Sequence, residues 1–278
     1  MQWRCREKTI DVTRPVVMGI LNVTPDSFSD GNRYASVAAA LERATRMVQE
    51  GVTIIDVGGE STRPGAEPVA EAAEIARVVP VIEGIAAASE VAISIDTSKP
   101  RVMAAAVAAG ACIVNDIHAL RADGARSWAA GAGVGVCLMH MQGEPRTMQE
   151  HPHYDDVVTQ VLEFLAREKE LCLQAGIASE AIAVDPGLGF GKGLAHNLTL
   201  LKELPRFAAL GAPVLVGLSR KSFIGRILGR GVDERLYGGL GLAALAVTFG
   251  ARIIRTHDVA QTRDAIRMVS AVLQGIEN

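Results

Sequence analysis

Short runs of β-branched and apolar residues recur along the whole chain and predict buried strands. Turn-forming residues bound each run, which is typical of a strand that is buried on both faces. The runs are residues 16–24, 53–59, 91–97, 112–116, 135–140, 182–187, 213–219 and 252–257. Ala- and Glu-rich segments with helical spacing lie between them and include residues 37–50, 69–89, 155–175 and 259–274. The pattern therefore predicts an alternation of strands and helices.

This alternation favours parallel strand pairing with right-handed crossovers, which is an α/β architecture. Eight strand–helix units in about 250 residues are typical of a (β/α)8 barrel, the TIM barrel. A doubly wound open sheet is the alternative. No Pro/Ser-rich linker or low-complexity tract divides the chain, so we predict a single domain over residues 1–278. Residues 1–14 precede the first strand, and we expect them to form a small cap over the barrel floor.

Every predicted strand ends in polar residues. The residues at or just beyond the strand ends are Asn22, Asp56 and Glu60, Asp96, Asn115 and Asp116, His140, Asp185, Ser219 and Lys221, and Arg255 and His257. In a barrel these ends meet at the C-terminal face, where barrel enzymes carry their active sites. Asn and Asp also cap helices and occupy turns, which explains any single case. Their presence at all eight ends predicts a functional site on that rim.

One group of rim residues is acidic or carries an amide. Asp96, Asn115 and Asp185 follow the third, fourth and sixth predicted strands, without an obvious cation beside them. Carboxylates and amides suit a ligand rich in N–H donors, for example the edge of a heteroaromatic ring. Structural capping is the alternative role for each of them.

A second group is cationic and follows the last two predicted strands. Residues 219–222 read Ser-Arg-Lys-Ser, and Arg255 and His257 close the eighth strand. Loops at these two places in a barrel often bind phosphate, aided by a helix N-terminus. The group therefore predicts a phosphorylated substrate or a diphosphate leaving group. Ser219 and Lys221 would face the same way if the strand geometry continued through them.

Three loops carry further candidate chemistry. NVTPDSFSDG (22–31) and GGESTRPGA (58–66) combine Gly and Pro with hydroxyl groups, and we expect them to move or to clamp over the rim. DPGLGFGKG (185–193) resembles a nucleotide-binding loop but lacks the Walker spacing. We interpret this third loop as a glycine turn beneath the pocket.

Composition and charge argue against several classes of protein. Hydrophobic residues make up 49% of the chain and charged residues 21%, which is a globular composition. The formal net charge of -3 provides no basic field for nucleic acid. No uncharged stretch reaches the roughly 20 apolar residues of a membrane helix, and the N-terminus lacks the apolar core of a secretory signal. Four scattered cysteines without a CxxC pair predict buried, reduced thiols in a cytoplasmic protein.

An ordered set of motifs resembles the bacterial dihydropteroate synthase family. The motifs are MGILNVTPDSFSDG, IIDVGGESTRPGA, ISIDTSKP, VNDI, LMHMQGEP, DPGLGFGK, LSRKSFIG and RTHDV. They follow the family's order from about Val17 to Val259 and cover nearly the whole predicted barrel. The chain departs from the pattern at residues 118–120 and in the glycine-rich segment YGGLGLAAL, which lies on a helix expected to face a dimer partner.

The resemblance implies an alkyl-group transferase of folate biosynthesis. Its reaction condenses 6-hydroxymethyl-7,8-dihydropterin diphosphate with 4-aminobenzoate, assisted by Mg2+, and yields 7,8-dihydropteroate and diphosphate. The resemblance further implies a homodimer, and a site that sulfonamides occupy as aminobenzoate mimics.

The site residues implied by the resemblance form three sets. The pterin pocket corresponds to Asp96, Asn115 and Asp185, with Lys221 beside them. The diphosphate site corresponds to Asn22, Arg255 and His257, with Asn22 also a ligand of the metal. The aminobenzoate side corresponds to Thr62, Arg63, Pro64, Phe190, Lys221 and Ser219. Among them, Asp96, Lys221 and Asn22 are expected to be catalytic.

The expected mechanism is an SN1-like displacement. Metal and cations stabilise the negative charge that grows on the departing diphosphate, while Asp96 favours the cationic pterin methylene that remains. The aromatic amine is a competent nucleophile, so a dedicated general base is not required. Two alternatives share the pterin pocket, namely a methyl-pterin:corrinoid methyltransferase domain and a pterin-binding paralogue without synthase activity. Metal-dependent release of diphosphate would separate the three.

Overall fold

The predicted apolar runs form parallel strands that curl into one barrel. The structure, a computed structural model, describes residues 1–23, 33–61 and 67–275. The barrel strands are β3 (Val16–Asn22), β4 (Ile54–Gly58), β5 (Ala92–Asp96), β6 (Ile113–Asp116), β7 (Gly135–Met139), β8 (Ile182–Asp185), β9 (Leu215–Gly217) and β10 (Ile253–Thr256). Their hydrogen-bonded order is β8-β7-β6-β5-β4-β3-β10-β9. A parallel bridge between Val184 and Val214 joins the two outer strands and closes the barrel.

Helices connect the strands and cover the outside of the barrel. They are α1 (Arg33–Gln49), α2 (Glu71–Ala88), α3 (Pro100–Ala108), α4 (Ala125–Ala132), α5 (Val157–Gln174), α6 (Leu194–Lys202), α7 (Leu204–Ala208), α8 (Ser222–Leu228), α9 (Leu236–Thr248) and α10 (Val259–Gln274), with short 3-10 turns at Ser179–Ala181 and Val232–Glu234. Local chemistry sets several of the starts. Pro100 begins α3, where its missing N–H costs nothing, and the Asp156 carboxylate caps α5 by accepting from the Val158 and Thr159 amides. The predicted (β/α)8 barrel is confirmed.

Each barrel strand contributes one apolar side chain to a layer that fills the barrel floor. The layer consists of Met18, Ile54, Ala92, Ile113, Cys137, Ala183, Leu215 and Ile253. Because side chains alternate along a strand, residues two positions further on return to the barrel interior. That next layer consists of Ile20, Asp56, Ser94, Asn115, Met139, Asp185, Gly217 and Arg255. The interior therefore changes from apolar to polar within two residues of strand.

The N-terminal segment covers the barrel floor, in the position expected of the cap. β1 (Gln2–Cys5) and β2 (Lys8–Asp11) pair as an antiparallel hairpin. Its apolar side chains pack against the floor layer, and they are Trp3, Cys5, Ile10 and Val12. The Trp3 indole is fully buried and donates from Nε1 to the Ala181 carbonyl at 3.0 Å. The floor is thereby closed by side chains from a segment outside the barrel.

The cysteines are buried and free, as the sequence predicts. Burial raises the pKa of the Cys172 thiol to about 11 and the pKa of Cys137 well above its ordinary value. Thiols with a raised pKa carry little thiolate and are unreactive.

The helices that the structure describes include none with both the length and the apolar character to cross a bilayer.

Replacing Trp3 tests how much the hairpin stabilises the barrel. Trp3→Ala is expected to lower the free energy of unfolding by about 3–5 kcal/mol, because it removes a fully buried aromatic side chain and leaves a cavity. Trp128, which is only partly buried on α4, provides the matched control. Urea unfolding of both variants gives the two values. Equal losses in the two variants would contradict a special role for the hairpin at the floor.

Candidate active site

The register of the barrel brings four rim positions into one row. Asn22 pairs with Gly58, Gly58 with Asp96, and Asp96 with Asn115. The side chains of Asp96 and Asn115 are buried, whereas Asn22 is half-buried. A Cβ atom at Gly58 would lie 3.6 Å from Asn22 Oδ1 and 3.8 Å from Asp96 Oδ2. The glycine therefore keeps the space between these two oxygen atoms free of protein side chain.

Arg255 crosses the mouth of the barrel and pairs with two carboxylates. Its Nε donates to Asp56 Oδ2 and its Nη2 donates to Asp96 Oδ2, both at 2.6 Å. Asp56 Oδ2 also accepts from Asn115 Nδ2 at 3.1 Å. The expectation that no cation stands beside Asp96 is therefore wrong. β10 lies two strands from β4 in the closed barrel, and the long arginine side chain reaches over the intervening β3.

Desolvation makes negative charge on the acidic cluster costly, and Arg255 offsets part of this cost. Burial raises the pKa of Asp96 to about 7; the Arg255 guanidinium opposes this shift, and the Asp56 carboxylate adds to it. The two carboxylates in turn raise the pKa of Arg255 above its ordinary value despite burial, which keeps the guanidinium charged. Among the residues that the structure describes, Asp56 Oδ1 is buried and accepts no hydrogen bond. The cluster therefore retains an unused acceptor.

Asp185 ends β8 on the other side of the mouth. The carboxyl group is 6% exposed, and its Oδ1 accepts from the Gly187 amide at 2.7 Å. Burial raises the pKa of Asp185, while the Gly187 amide and the ammonium groups of Lys221 and Lys192 lower it. A carboxylate has about four acceptor positions, so this side chain can still accept two hydrogen bonds from a ligand.

Lys221 lies over the Phe190 ring, with Nζ 4.1 Å from the ring centroid. This distance is within the range of a cation–π contact. Burial lowers the pKa of Lys221 to about 8; Asp185 opposes the shift, and Arg255 adds to it. A half-buried ammonium group therefore stands beside an aromatic face at the edge of the Asp185 pocket.

Ser219 and His257 contact each other just beyond the ends of β9 and β10. His257 Nδ1 lies 3.0 Å from Ser219 Oγ. β9 ends at Gly217 and Arg220 has a φ of 59°, so strand geometry does not continue through Ser219 and Lys221. The expectation that Ser219 and Lys221 face the same way required strand geometry through both residues, so it does not apply.

The cationic group is smaller than the sequence suggests. Arg220 Nη2 forms an ion pair with Asp258 Oδ1 at 3.0 Å. Arg255, Lys221 and His257 also carry cationic or titratable side chains at this rim.

Some predicted positions lie outside the described residues. They are Thr62, Arg63 and Pro64, together with most of the NVTPDSFSDG segment. Glu60 and Val69, which flank these three residues in the sequence, are both bound by Lys99. Lys99 Nζ contacts the carboxylates of Glu60 and Glu74 and donates to the Val69 carbonyl at 2.6 Å.

Two residues of this site, Asp56 and Lys192, carry no specific functional signal in the sequence. Asp56 was only one of many polar strand ends, and its contacts to Arg255 and Asn115 depend on barrel closure. Lys192 lies in the glycine loop after β8 and is 2% exposed. Its burial has no signal in the sequence, because lysine after a glycine turn is usually a surface residue.

The chain is similar to known proteins over almost its whole length. Residues 18–257 match the family model described as pterin binding enzyme. The dihydropteroate synthase of Escherichia coli K12 is 53% identical over 270 residues, which cover 97% of this chain and 96% of that protein.

Solved structures agree with the match. The Yersinia pestis dihydropteroate synthase in a sulfonamide complex has a TM-score of 0.93 and 48% identity, covering 98% of this chain and 99% of that one. The Xanthomonas albilineans enzyme in complex with 7,8-dihydropteroate has a TM-score of 0.89 and 44% identity, with 99% of each chain covered. By sequence and by structure, the chain belongs to the dihydropteroate synthase family of pterin binding enzymes.

Proposed function

We propose that this rim carries out the dihydropteroate synthase reaction and that the three residue sets divide its work. The reaction joins 6-hydroxymethyl-7,8-dihydropterin diphosphate to 4-aminobenzoate and yields 7,8-dihydropteroate and diphosphate. The observation that carries the proposal is the placement of a buried acidic and amide cluster directly beside cationic side chains on one barrel mouth. One relative binds 7,8-dihydropteroate and another binds a sulfonamide, which supports the same reaction here.

The acidic side of the mouth is the proposed pterin pocket. Asp185 accepts two hydrogen bonds from the amino-pyrimidinone edge of the pterin, and Asn115 supplies both a donor and an acceptor. Asp96 completes the pocket, with Lys221 beside it. The burial of all three acidic and amide side chains supports this role, because ring donors would meet these acceptors without competition from water.

The cationic side is the proposed diphosphate site. Arg255 and His257 bind the phosphate oxygens, and Asn22 lies at the end of β3 next to the open space at Gly58. That space, with its amide and carboxylate oxygens, fits a Mg2+ ion that also binds substrate phosphates. The metal would neutralise charge on the diphosphate. Asn22, whose Oδ1 faces this space, is the proposed protein ligand.

The aminobenzoate side is proposed to adjoin the glycine loop after β8. Phe190, Lys221 and Ser219 belong to it, together with Thr62, Arg63 and Pro64. The Lys221 ammonium over the Phe190 ring supports the assignment, since it places a cation for the substrate carboxylate next to a surface for its aromatic ring. Sulfonamides, as mimics of aminobenzoate, would occupy the same place.

Asp96, Lys221 and Asn22 are the proposed catalytic residues of an SN1-like displacement. The bond between the pterin methylene carbon and oxygen breaks, and its electron pair leaves with the diphosphate. The amine nitrogen of aminobenzoate then forms the new bond to carbon and releases one proton. Asp96 is already near Arg255, and its carboxylate form is further favoured when positive charge develops on the methylene.

We also propose a cytoplasmic homodimer of single-domain chains. α9 and α10 pack together on the outside of the barrel and expose large apolar side chains. The exposed fractions are 83% for Tyr237, 67% for Met268 and 81% for Val272. Large exposed apolar side chains on two helices that pack together support a protein–protein contact on this face.

Release of diphosphate by the purified protein tests the proposed reaction. With dihydropterin diphosphate and Mg2+ present, release is expected to depend on 4-aminobenzoate and to match the formation of dihydropteroate. Omission of the metal and omission of aminobenzoate are the two controls. Tight pterin binding without turnover would instead favour the inactive paralogue.

Asp185→Ala tests the pterin pocket. The variant is expected to weaken binding of dihydropterin diphosphate at least about 100-fold, because each hydrogen bond to a charged group contributes about 1.5–3 kcal/mol. Calorimetric titration measures the affinity. Asp123→Ala, at an exposed position, is the matched control. Near-normal affinity in a folded Asp185→Ala protein would refute the pocket.

Lys221→Arg tests the cation beside Phe190. Because burial lowers the pKa of Lys221 to about 8, the ammonium is charged below this pH and loses its proton above it. The kcat/KM for aminobenzoate reports groups of the unliganded protein, so it is expected to fall as pH rises through about 8. Arginine stays charged, and the variant should lose this alkaline limb. If the limb stays in place in the variant, a different group causes it.

A further inference from the structure

The glycine loop after β8 lies directly on the chain that follows β7. A Cβ atom at Gly187 would approach the His140 carbonyl oxygen to 1.9 Å, and one at Gly191 would approach the Gln142 carbonyl oxygen to 2.3 Å. Both glycines have positive φ, 69° and 58°. Residues with a side chain cannot take these places. The loop is therefore built for close backbone contact, and Phe190 is carried on it.

The Lys192 side chain turns back under this loop and enters the contact. Its Nζ donates to the Phe190 carbonyl at 2.9 Å and to the His140 carbonyl at 3.2 Å. The third contact is His140 Nδ1 at 3.0 Å. In its ammonium form Lys192 has three donors and no acceptor, and in that form His140 Nδ1 accepts while the neutral ring carries its proton on Nε2. All three donors of Lys192 are thereby used.

Lys192 makes no ion pair with any residue that the structure describes, so its burial is costly. Within the described residues its hydrogen bonds go to uncharged acceptors, and Asp185 acts on it only through space. Burial lowers the pKa of Lys192 to about 7 and that of His140 to about 3. Apolar packing would close the same space at a lower cost of desolvation. The burial of Lys192 is therefore explained by its hydrogen bonds rather than by packing alone.

Other hydrogen bonds hold the glycine loop at neighbouring residues, whereas the Phe190 carbonyl accepts from Lys192. The Phe190 amide donates to the Gly187 carbonyl at 3.0 Å. Asn197 fixes the amide of Gly189 at 2.6 Å, and the Tyr154 hydroxyl donates to the Gly191 carbonyl at 2.8 Å. Gln149 Nε2 also donates to the Gly189 carbonyl at 2.7 Å, so the peptide before Phe190 is held without Lys192. Loss of the Lys192 contact would release the peptide that follows the Phe190 Cα, between Phe190 and Gly191.

We propose that Lys192 is a positioning residue for the aminobenzoate side: its buried Nζ donates to the Phe190 carbonyl and thereby places the Phe190 ring against Lys221. The inference rests on the proposed function, which assigns Phe190 and Lys221 to aminobenzoate. Lys192 itself does not touch substrate in this role. It acts through the loop, on the ring that the substrate meets.

Lys192→Met tests the role, since methionine fills much of the space but cannot donate. KM for 4-aminobenzoate is expected to rise about tenfold or more, because a misplacement of about 1 Å can cost about 100-fold in rate. Affinity for dihydropterin diphosphate is expected to change much less. Lys202→Met, at an exposed position on α6, is the matched control. A larger loss of pterin affinity than of aminobenzoate use would overturn the inference.

A double-mutant cycle with Phe190→Leu separates this inference from the proposed function. If Lys192 acts through Phe190, its substitution should add little to the KM of the Phe190→Leu protein. An equal effect in both backgrounds would overturn the inference and leave the aminobenzoate assignment intact. An unchanged KM in Phe190→Leu alone would overturn that assignment and the inference with it.

Folding of the variants is checked by thermal unfolding and by binding of dihydropterin diphosphate. If Lys192→Met does not fold, Lys192→Gln replaces it in the same cycle, because glutamine keeps N–H donors on a shorter side chain. Its expected effect on KM is in the same direction and smaller. A folded Lys192→Gln protein with unchanged KM for aminobenzoate would overturn the inference.

Discussion

A buried guanidinium between two carboxylates is the interaction on which the rim depends. Arg255 pairs with Asp56 and Asp96, and Asp56 also accepts from Asn115. Carboxylates inside a barrel are costly unless a cation and hydrogen bonds compensate for the lost water. With Arg255 in place, acidic and amide side chains can stand close together at one mouth. Without it, two buried negative charges would face each other.

This network is possible because polarity is confined to one end of the barrel. Each strand places an apolar residue in the floor layer, and the N-terminal hairpin closes that layer with Trp3. Two residues further along, the side chains are mostly polar and lie nearer the mouth. The apolar floor layer therefore lies directly beneath the polar layer and shields it from water on that side.

The fold was predictable because its signals are local. Apolar runs with turn-forming ends and helical spacing between them gave the strand and helix order, and the boundaries moved by only a few residues, as in residues 213–219, of which Leu215–Gly217 form β9. Much of the rim followed from the same reasoning, since the ends of parallel strands meet at one face. The charge pairing did not follow. Arg220 pairs with Asp258, and Arg255 reaches two strands that are far from it in the sequence.

The sequence by itself determined the barrel, the polar character of its mouth and the family, because periodicity and ordered motifs are written along the chain. Tertiary structure alone decided which charges meet. Asp56 belongs to the site because β10 lies near β4 in the closed barrel. Lys192 is buried because the glycine loop packs against the chain after β7. Both outcomes depend on distances between residues remote in sequence, and no local pattern encodes such distances.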